Sequence, residues 1–196
     1  MFVGETLGQP TLQIIIGSTR PGRVALPVAR WLRDRAVAHG AFQVELIDLA
    51  EVNLPFLDEP NHPRLRQYVH PHTKEWSATV ERADAFVFVT PEYNHGFSAV
   101  LKNAIDYLHQ EWLYKPVGFA SYGGVSAGTR AVQMLKQVVT GLKMMPVAEA
   151  VTIPYVNRYL GDDGRLRPND VMNQAADAML SELARLAPAL KGLRAA

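Results

Sequence analysis

Short apolar runs alternate with amphipathic stretches along the whole chain. Residues 12–16 are a short run rich in isoleucine, residues 85–89 are all apolar, and both have the length typical of buried strands. After residue 24, apolar side chains recur about every four positions, as on one face of a helix, until Gly40. The whole pattern predicts five strands, at 12–16, 42–49, 85–89, 117–121 and 148–153. It predicts five longer helices, at about 24–39, 73–83, 97–108, 132–142 and 169–190.

This alternation predicts the fold class. Strands that are apolar throughout are buried on both faces, which is typical of parallel sheets covered by helices. Right-handed crossovers then build a three-layer α/β structure with a doubly wound, five-stranded parallel sheet. No repeat or linker interrupts the pattern, so we expect a single domain over residues 1–196 in which the last helix packs on the sheet.

One segment does not follow the pattern. Residues 51–75 contain four prolines, which exclude long regular elements and predict a long loop with a helical turn near Leu65. Loops of this length in compact domains are often functional.

Composition and charge narrow the function. Lys and Arg number 20 against 19 Asp and Glu, a net charge of +1, so we expect no nucleic-acid partner. The absence of cysteine excludes disulfides, thiolate catalysis and thiolate metal sites. His70 and His72 lack supporting ligands at suitable spacing, so we expect no metal site. Residues 1–10 do not resemble a secretion signal and no run approaches 18 apolar residues, so we expect a cytoplasmic protein without a membrane span.

Candidate chemistry lies where the predicted strands end. Ligands of open parallel sheets bind beyond the carboxyl ends of the strands. Three loops at such ends are unusual in composition, namely 17–23, 91–96 and 121–128.

The first loop suits a phosphate. It joins a strand to a helix, so free backbone N–H groups and the positive helix end lie together, and Arg20 and Arg23 add cationic donors. It lacks both the Walker and the Gly-x-Gly-x-x-Gly patterns, which favours a monophosphate over a pyrophosphate. An ordinary turn with a serine cap and solvated arginines explains the loop equally well.

The other two loops suit a flat ring. Tyr93 offers a planar face, Asn94 offers an amide, and Gly96 permits close backbone approach. In the third loop, glycines would let backbone N–H groups reach a ligand edge. Taken singly, each has a simpler explanation: a turn that caps the next helix, or turn glycines followed by a cap at Ser126.

Together the loops resemble a known family. Gly-Ser-Thr-Arg at 17–20, Pro-Glu-Tyr-Asn-x-Gly at 91–96, Leu-Lys-Asn-Ala-Ile-Asp at 101–106 and Ser-x-Gly-Gly at 121–124 are similar to motifs of the NADPH-dependent FMN reductases. These are the flavodoxin-like quinone, azo-compound and chromate reductases, and the resemblance covers about residues 11–150. It implies a flavodoxin-like fold, FMN and NADPH as cofactors, and ping-pong transfer of two electrons to a small acceptor such as a quinone, an azo compound, a metal oxyanion or free flavin. It also implies a homodimer or homotetramer and no catalytic side chain, because the flavin carries the chemistry.

The resemblance assigns roles to individual residues. It places the FMN phosphate on Ser18 and Arg20, with Arg23 assisting from the same loop. The residues expected along the isoalloxazine ring are Pro91, Glu92, Tyr93, Asn94 and Gly96. Those expected near its pyrimidine edge are Ser121, Gly123 and Gly124. The N–H groups of the two glycines are candidate donors to the N1–C2 edge of the ring, where they would stabilise reduced flavin.

The chain departs from the family pattern in the phosphate loop. Many members carry a further Ser or Asn near positions 23–25, where this chain has Arg-Val-Ala. Phosphate binding is therefore expected to depend on arginine and backbone. His95, beside the expected ring, is a candidate for tuning substrate choice.

Two alternatives remain. A flavodoxin-type electron carrier would bind FMN and serve protein partners, but its net charge would be strongly acidic and its phosphate loop rich in hydroxyls. A flavin-free regulatory protein would not need three intact loops. The aromatic segment 107–114 and the pair Met144 and Met145 suit either an oligomer interface or the core.

Overall fold

The computed structural model describes residues 8–194, which form five parallel strands in one sheet. The strands are β1 (Thr11–Ile16), β2 (Gln43–Asp48), β3 (Ala85–Pro91), β4 (Pro116–Tyr122) and β5 (Met145–Ile153). Their order across the sheet is β2-β1-β3-β4-β5, and every neighbouring pair is parallel. The predicted three-layer, doubly wound α/β fold is therefore confirmed. The expected single domain (1–196) and the expected lack of a secretion signal in residues 1–10 both include residues outside the described range.

Helices cover both faces of the sheet. They are α1 (Ala25–His39), α2 (Leu49–Val52), α3 (Pro71–Glu81), α4 (Ala99–Asp106), α5 (Thr129–Gly141) and α6 (Asp170–Lys191). Successive side chains of a strand point to opposite faces. Ile14 and Ile16 accordingly join the core under α1 and α6, whereas Ile15 joins the core under α3, α4 and α5. Within residues 8–194, no helix combines the length and the apolar composition that crossing a membrane requires.

The helices α1 and α6 lie side by side and are joined by three hydrogen bonds in one register. The indole N–H of Trp31 donates to Asn173 at 3.1 Å, and Nε2 of His39 lies 3.1 Å from the hydroxyl of Ser181. Between them, Arg35 and Asp177 form an ion pair. Each partner on α6 follows its partner on α1 by 142 residues, so the two helices run parallel.

The region around Pro146 differs from the prediction. The pattern predicted that α5 continues to residue 142 and that Pro146 follows the helix as its stop. Instead α5 ends at Gly141, and β5 begins at Met145, three residues before its predicted start, so that Pro146 lies inside the strand. β5 is the edge of the sheet, where a strand tolerates a residue without a backbone donor.

The long loop 53–70 is held to the core by buried polar groups. Glu111 is fully buried, and its carboxylate accepts hydrogen bonds from Tyr68 and Ser77. The hydroxyl of Tyr107 donates to Asp58 at 2.9 Å. The loop contains the predicted helical turn, at Pro63–Leu65. Of the residues open to an interface or a core role, Tyr107, Trp112 and Met144 lie in the core, whereas Met145 is about half exposed.

Candidate functional site

The loop between β1 and α1 presents backbone donors without acceptors. Gly17 donates to the carbonyl oxygen of Val89 at 2.8 Å, and a Cβ at Gly17 would lie 3.0 Å from that oxygen. Among residues 8–194, no group accepts a hydrogen bond from the backbone N–H of Ser18, Thr19 or Arg20.

The helix that follows this loop is uncapped. α1 begins after residue 24 without a side-chain cap and without an acidic residue in its first turn, so the alternative of a serine cap is wrong. Unpaired donors and a positive helix end in one loop match the needs of an anion such as the FMN phosphate.

The two arginines of this loop have different environments. Arg20 is exposed and makes no ion pair with any residue of the described chain. Arg23 forms an ion pair with Asp48 at the end of β2, and both side chains are largely buried. Arg23 therefore fixes the loop to β2, and Arg20 is the cation that remains available to a ligand.

Ser18 connects the first loop to the second. Its side chain is buried, and its hydroxyl lies 2.9 Å from that of Tyr93. The phenol of Tyr122 lies close to both Ser18 and Tyr93. Burial and the neighbouring Tyr93 raise the pKa of Tyr122, although Ser18 and the nearby arginines act in the opposite direction.

The three loops meet at a cavity of about 400 Å³. We call it the tyrosine cavity; it is lined by Arg20, Val24, Pro91, Glu92, Tyr93, Tyr122, Gly123, Gly124, Tyr155, Val156, Asn157 and Arg158. Six of these residues were predicted from the sequence: Arg20, Pro91, Glu92, Tyr93, Gly123 and Gly124. A cavity lined by tyrosines, arginines and glycines fits a phosphorylated flat ring.

Sequence reasoning missed the fourth side of the cavity, residues 155–158. Tyr155 adopts a left-handed backbone with φ of 47°, and its N–H donates to the carbonyl of Gly124 at 3.1 Å. The guanidinium of Arg158 lies over its ring at 4.5 Å. The sequence indicates only a loop after the last predicted strand, and the one signal in it is an aromatic residue, Tyr155, two residues after that strand ends.

The glycines of the third loop are not equivalent. The N–H of Gly123 donates to Ile153 at 3.2 Å, so it is not free for a ligand. The N–H of Gly124 has no acceptor within residues 8–194. Of the two donors expected at the ring edge, only Gly124 remains available.

The second loop is a tight turn. Tyr93 and Gly96 exchange backbone hydrogen bonds of 2.8 and 2.9 Å, and the residues between them, Asn94 and His95, both have positive φ. This is the pattern of a type I′ turn. Gly96 lies at its base and does not line the tyrosine cavity.

Asn94 and His95 line a second cavity, of about 350 Å³. It shares Glu92 and Gly124 with the tyrosine cavity. The structure therefore spreads the predicted ring-binding residues over two adjoining cavities.

Two of the predicted residues, Glu92 and Ser121, use their polar groups to hold the loops in place and do not offer them to a ligand. The carboxylate of Glu92 pairs with Arg130 on α5. Burial alone would raise the pKa of Glu92, but the hydrogen bond and charge of Arg130 lower it below its usual value, so the carboxylate stays ionised. Ser121 is fully buried and donates to the carbonyl of Ala127 at 2.8 Å. α5 has no side-chain cap, so the alternative of a cap at Ser126 is wrong.

Within the described part of the chain, no cluster of three or more His, Asp or Glu could hold a metal ion.

Comparisons with known proteins agree with this geometry. The family model described as NADPH-dependent FMN reductase matches residues 10–158. An NAD(P)H-dependent FMN reductase of Schizosaccharomyces pombe is 41% identical over 149 residues, covering 74% of each chain. An FMN-dependent NADPH-azoreductase of Staphylococcus saprophyticus is 28% identical over 152 residues, covering 77% of this chain and 80% of that protein.

A solved structure supports the fold. The flavoenzyme NAD(P)H:(acceptor) oxidoreductase FerB of Paracoccus denitrificans superposes with a TM-score of 0.74, covering 92% of this chain and 98% of that chain at 19% identity. The resemblance inferred from the loop motifs is confirmed by the family match and by the sequence relatives. The chain belongs to the NADPH-dependent FMN reductases, a family of oxidoreductases.

Proposed function

We propose that this protein is an NAD(P)H-dependent FMN oxidoreductase that passes two electrons from NADPH to a small acceptor such as a quinone, an azo compound, a metal oxyanion or free flavin. The observation that carries the proposal is the run of unpaired backbone donors at Ser18–Arg20, in the loop that leads into the uncapped helix α1, with Arg20 lining the tyrosine cavity. FMN held there would supply the two-electron redox chemistry.

The chain's own residues would bind and orient the cofactor. The backbone donors and Arg20 would hold the phosphate, and Arg23 would hold the loop in place through Asp48. Tyr93 and Pro91 would form a wall for the ring, and the free N–H of Gly124 would donate to its N1–C2 edge. No side chain is needed as a nucleophile. This agrees with the environment of Glu92, whose negative charge is already paired with Arg130.

The electron-carrier alternative is less well supported. The sequence relatives are named as FMN reductases and azoreductases. A net charge of +1 also differs from the acidic surface that a flavodoxin offers to protein partners.

We further infer a cytoplasmic homo-oligomer, a dimer or a tetramer. Loop 53–70 carries exposed apolar side chains, among them Phe56 at 84% exposure and Leu65 at 58%. Grouped apolar side chains on a surface are typical of interaction sites. Light scattering after size-exclusion chromatography should give twice or four times the chain mass, and a monomeric mass would contradict this inference.

The reductase proposal is tested by the absorbance spectrum of the purified chain loaded with FMN. We expect stoichiometric FMN, bleaching of its bands by anaerobic NADPH, and their return when a quinone or azo dye is added. Initial rates with both substrates varied should give the parallel lines of a ping-pong reaction. Failure to bind supplied FMN would contradict the proposal, and bound FMN that NADPH does not bleach would favour the electron carrier.

A further inference from the structure

A second cleft, of about 550 Å³, lies on the α1 side of the sheet and outside the site described above. We call it the arginine cleft. It lies between α1 and the hairpin 159–167, which the bridge between Leu160 and Leu166 closes. Five of the residues that line it are arginines, namely Arg30, Arg33, Arg35, Arg165 and Arg167.

The charges of the cleft are only partly neutralised. Its lining contains two carboxylates, Asp34 paired with Arg33 and Asp163 paired with Arg167, and Arg35 pairs with Asp177 of α6. Arg30 and Arg165 make no ion pair within residues 8–194. In a chain whose net charge is +1, this is a local excess of positive charge facing an open space.

Part of the lining of the cleft is apolar. Pro27, Trp31 and Leu166 line it, and Trp31 is nearly buried. A lining that combines apolar side chains with arginines that make no ion pair matches a ligand that combines a flat base with phosphate, since arginine binds phosphate through paired donors and stacks on aromatic faces.

The arginine cleft adjoins the tyrosine cavity. Val24 lines the tyrosine cavity and Pro27 lines the arginine cleft, less than one helical turn further along the chain. On the other side, Arg158 lines the first and Arg165 the second. The backbone N–H of Arg167 donates to Tyr159, so one continuous segment borders both spaces.

We propose that the arginine cleft binds the adenosine 2′-phosphate end of NADPH, with Arg30 and Arg165 on the phosphate, while the nicotinamide end reaches the tyrosine cavity. This inference rests on the proposed function, since it names the part of the protein that selects NADPH over NADH. The selecting contact is made outside the flavin site, by side chains on α1 and the hairpin.

The first test compares the two nucleotides on FMN-loaded protein. Anaerobic stopped-flow reduction gives the efficiency of each nucleotide in wild type and in Arg30→Ala/Arg165→Ala. We expect the NADPH-to-NADH ratio to fall about tenfold or more, because each lost guanidinium removes a charge-assisted bond to the 2′-phosphate. The matched control is Arg82→Ala/Arg185→Ala, which removes the same charge from arginines paired with Glu45 and Glu182 outside the cleft. Its ratio should stay at the wild-type value, and an unchanged ratio in the cleft variant would overturn the proposal.

The second test does not depend on turnover. Calorimetric titration with adenosine 2′,5′-bisphosphate should show binding to wild type and to the control variant, and at least tenfold weaker binding to the cleft variant. Inorganic phosphate should bind far more weakly than the nucleotide. Equal affinity for both would overturn the proposal, since the cleft would then take any small anion.

The two tests separate this inference from the function it rests on. If neither nucleotide reduces the flavin of the wild type, the proposed function fails. The titration then still decides whether the cleft recognises the phosphorylated adenosine.

Discussion

The tyrosine cavity and the arginine cleft offer groups that bind phosphate, but they are built differently. The cavity presents backbone N–H groups of loops at the carboxyl edge of the sheet. Of the two arginines in loop 17–23, Arg20 is the one that makes no ion pair with the described residues. The cleft presents side chains from a helix face and a hairpin that are about 130 residues apart in sequence. A site built from backbone depends on loop conformation, whereas a site built from side chains depends on individual charges.

Two glycines with positive φ test this difference most strongly. Gly128, in the third loop, has φ of 79°, and a Cβ there would lie 2.9 Å from Ser121 and 3.0 Å from the backbone of Tyr122. We expect Gly128→Ala to lower the free energy of unfolding by about 3 kcal/mol and to abolish FMN retention, since strain and overlap add. Urea unfolding and the flavin content of the purified protein measure both.

The matched control lies in the hairpin of the arginine cleft. Gly164 has φ of 71°, but a Cβ there would meet nothing within 4 Å. Gly164→Ala should therefore lower the free energy of unfolding by only about 1 kcal/mol, because it adds backbone strain without steric overlap. The variant should retain FMN. Equal losses in the two variants would show that the third loop is no more sensitive than the hairpin.

The next largest effect should come from the free arginines. Arg20→Ala should weaken FMN binding about 10- to 150-fold, because a charge-assisted bond to phosphate contributes about 1.5–3 kcal/mol. Arg165→Ala removes the same charge from the cleft and should leave FMN affinity unchanged. Fluorescence titration of apoprotein with FMN gives both values, and equal retention would refute the phosphate assignment.

The buried arginine of the same loop should matter less for FMN. Arg23→Ala leaves the carboxylate of Asp48 unpaired, and we expect a loss of about 1–2 kcal/mol in the free energy of unfolding. FMN affinity should fall less than in Arg20→Ala. The double variant Arg23→Ala/Asp48→Asn should be less destabilised than the sum of its single changes. A larger loss of FMN affinity in Arg23→Ala than in Arg20→Ala would place Arg23 on the phosphate.

The smallest effect concerns one hydroxyl. Tyr93→Phe removes the bond between Tyr93 and Ser18 and should lower the free energy of unfolding by about 0.5–1 kcal/mol. Tyr155→Phe is the control, because Tyr155 is similarly exposed and its hydroxyl bonds to no residue of the described chain. Thermal unfolding of both variants compares them, and indistinguishable melting temperatures would show that the bond between the loops adds no stability.

The two sites also show how far the sequence could be interpreted. The order of strands and helices and the position of three loops followed from apolar patterning, because a parallel sheet puts all carboxyl strand ends at one edge. The different states of Arg20 and Arg23 could not be predicted, since the partner Asp48 is 25 residues away and ends another strand. The same holds for the bond that occupies the N–H of Gly123.

No local pattern in the amino-acid sequence predicts the arginine cleft. Arg30 lies on the first predicted helix and Arg165 lies far along the chain, after the last predicted strand, so no sequence motif joins them. Only the packing of α1 beside α6 brings them to one space, because α6 directly follows the hairpin. Pro146 was misplaced for a similar reason, since edge position in the sheet is a property of the fold and not of the local sequence.

The three bonds that join α1 to α6 also fix how the two helices are aligned, which matters for engineering the protein. Trp31, Arg35 and His39 lie four residues apart, and so do their partners on α6. An insertion inside either helix would shift these bonded pairs out of alignment, whereas lengthening a loop between the two helices would leave the pairs aligned. Designers who graft or shorten those loops can therefore count from Trp31 and Asn173 to locate the cleft, and can treat both helices as segments whose length must not change.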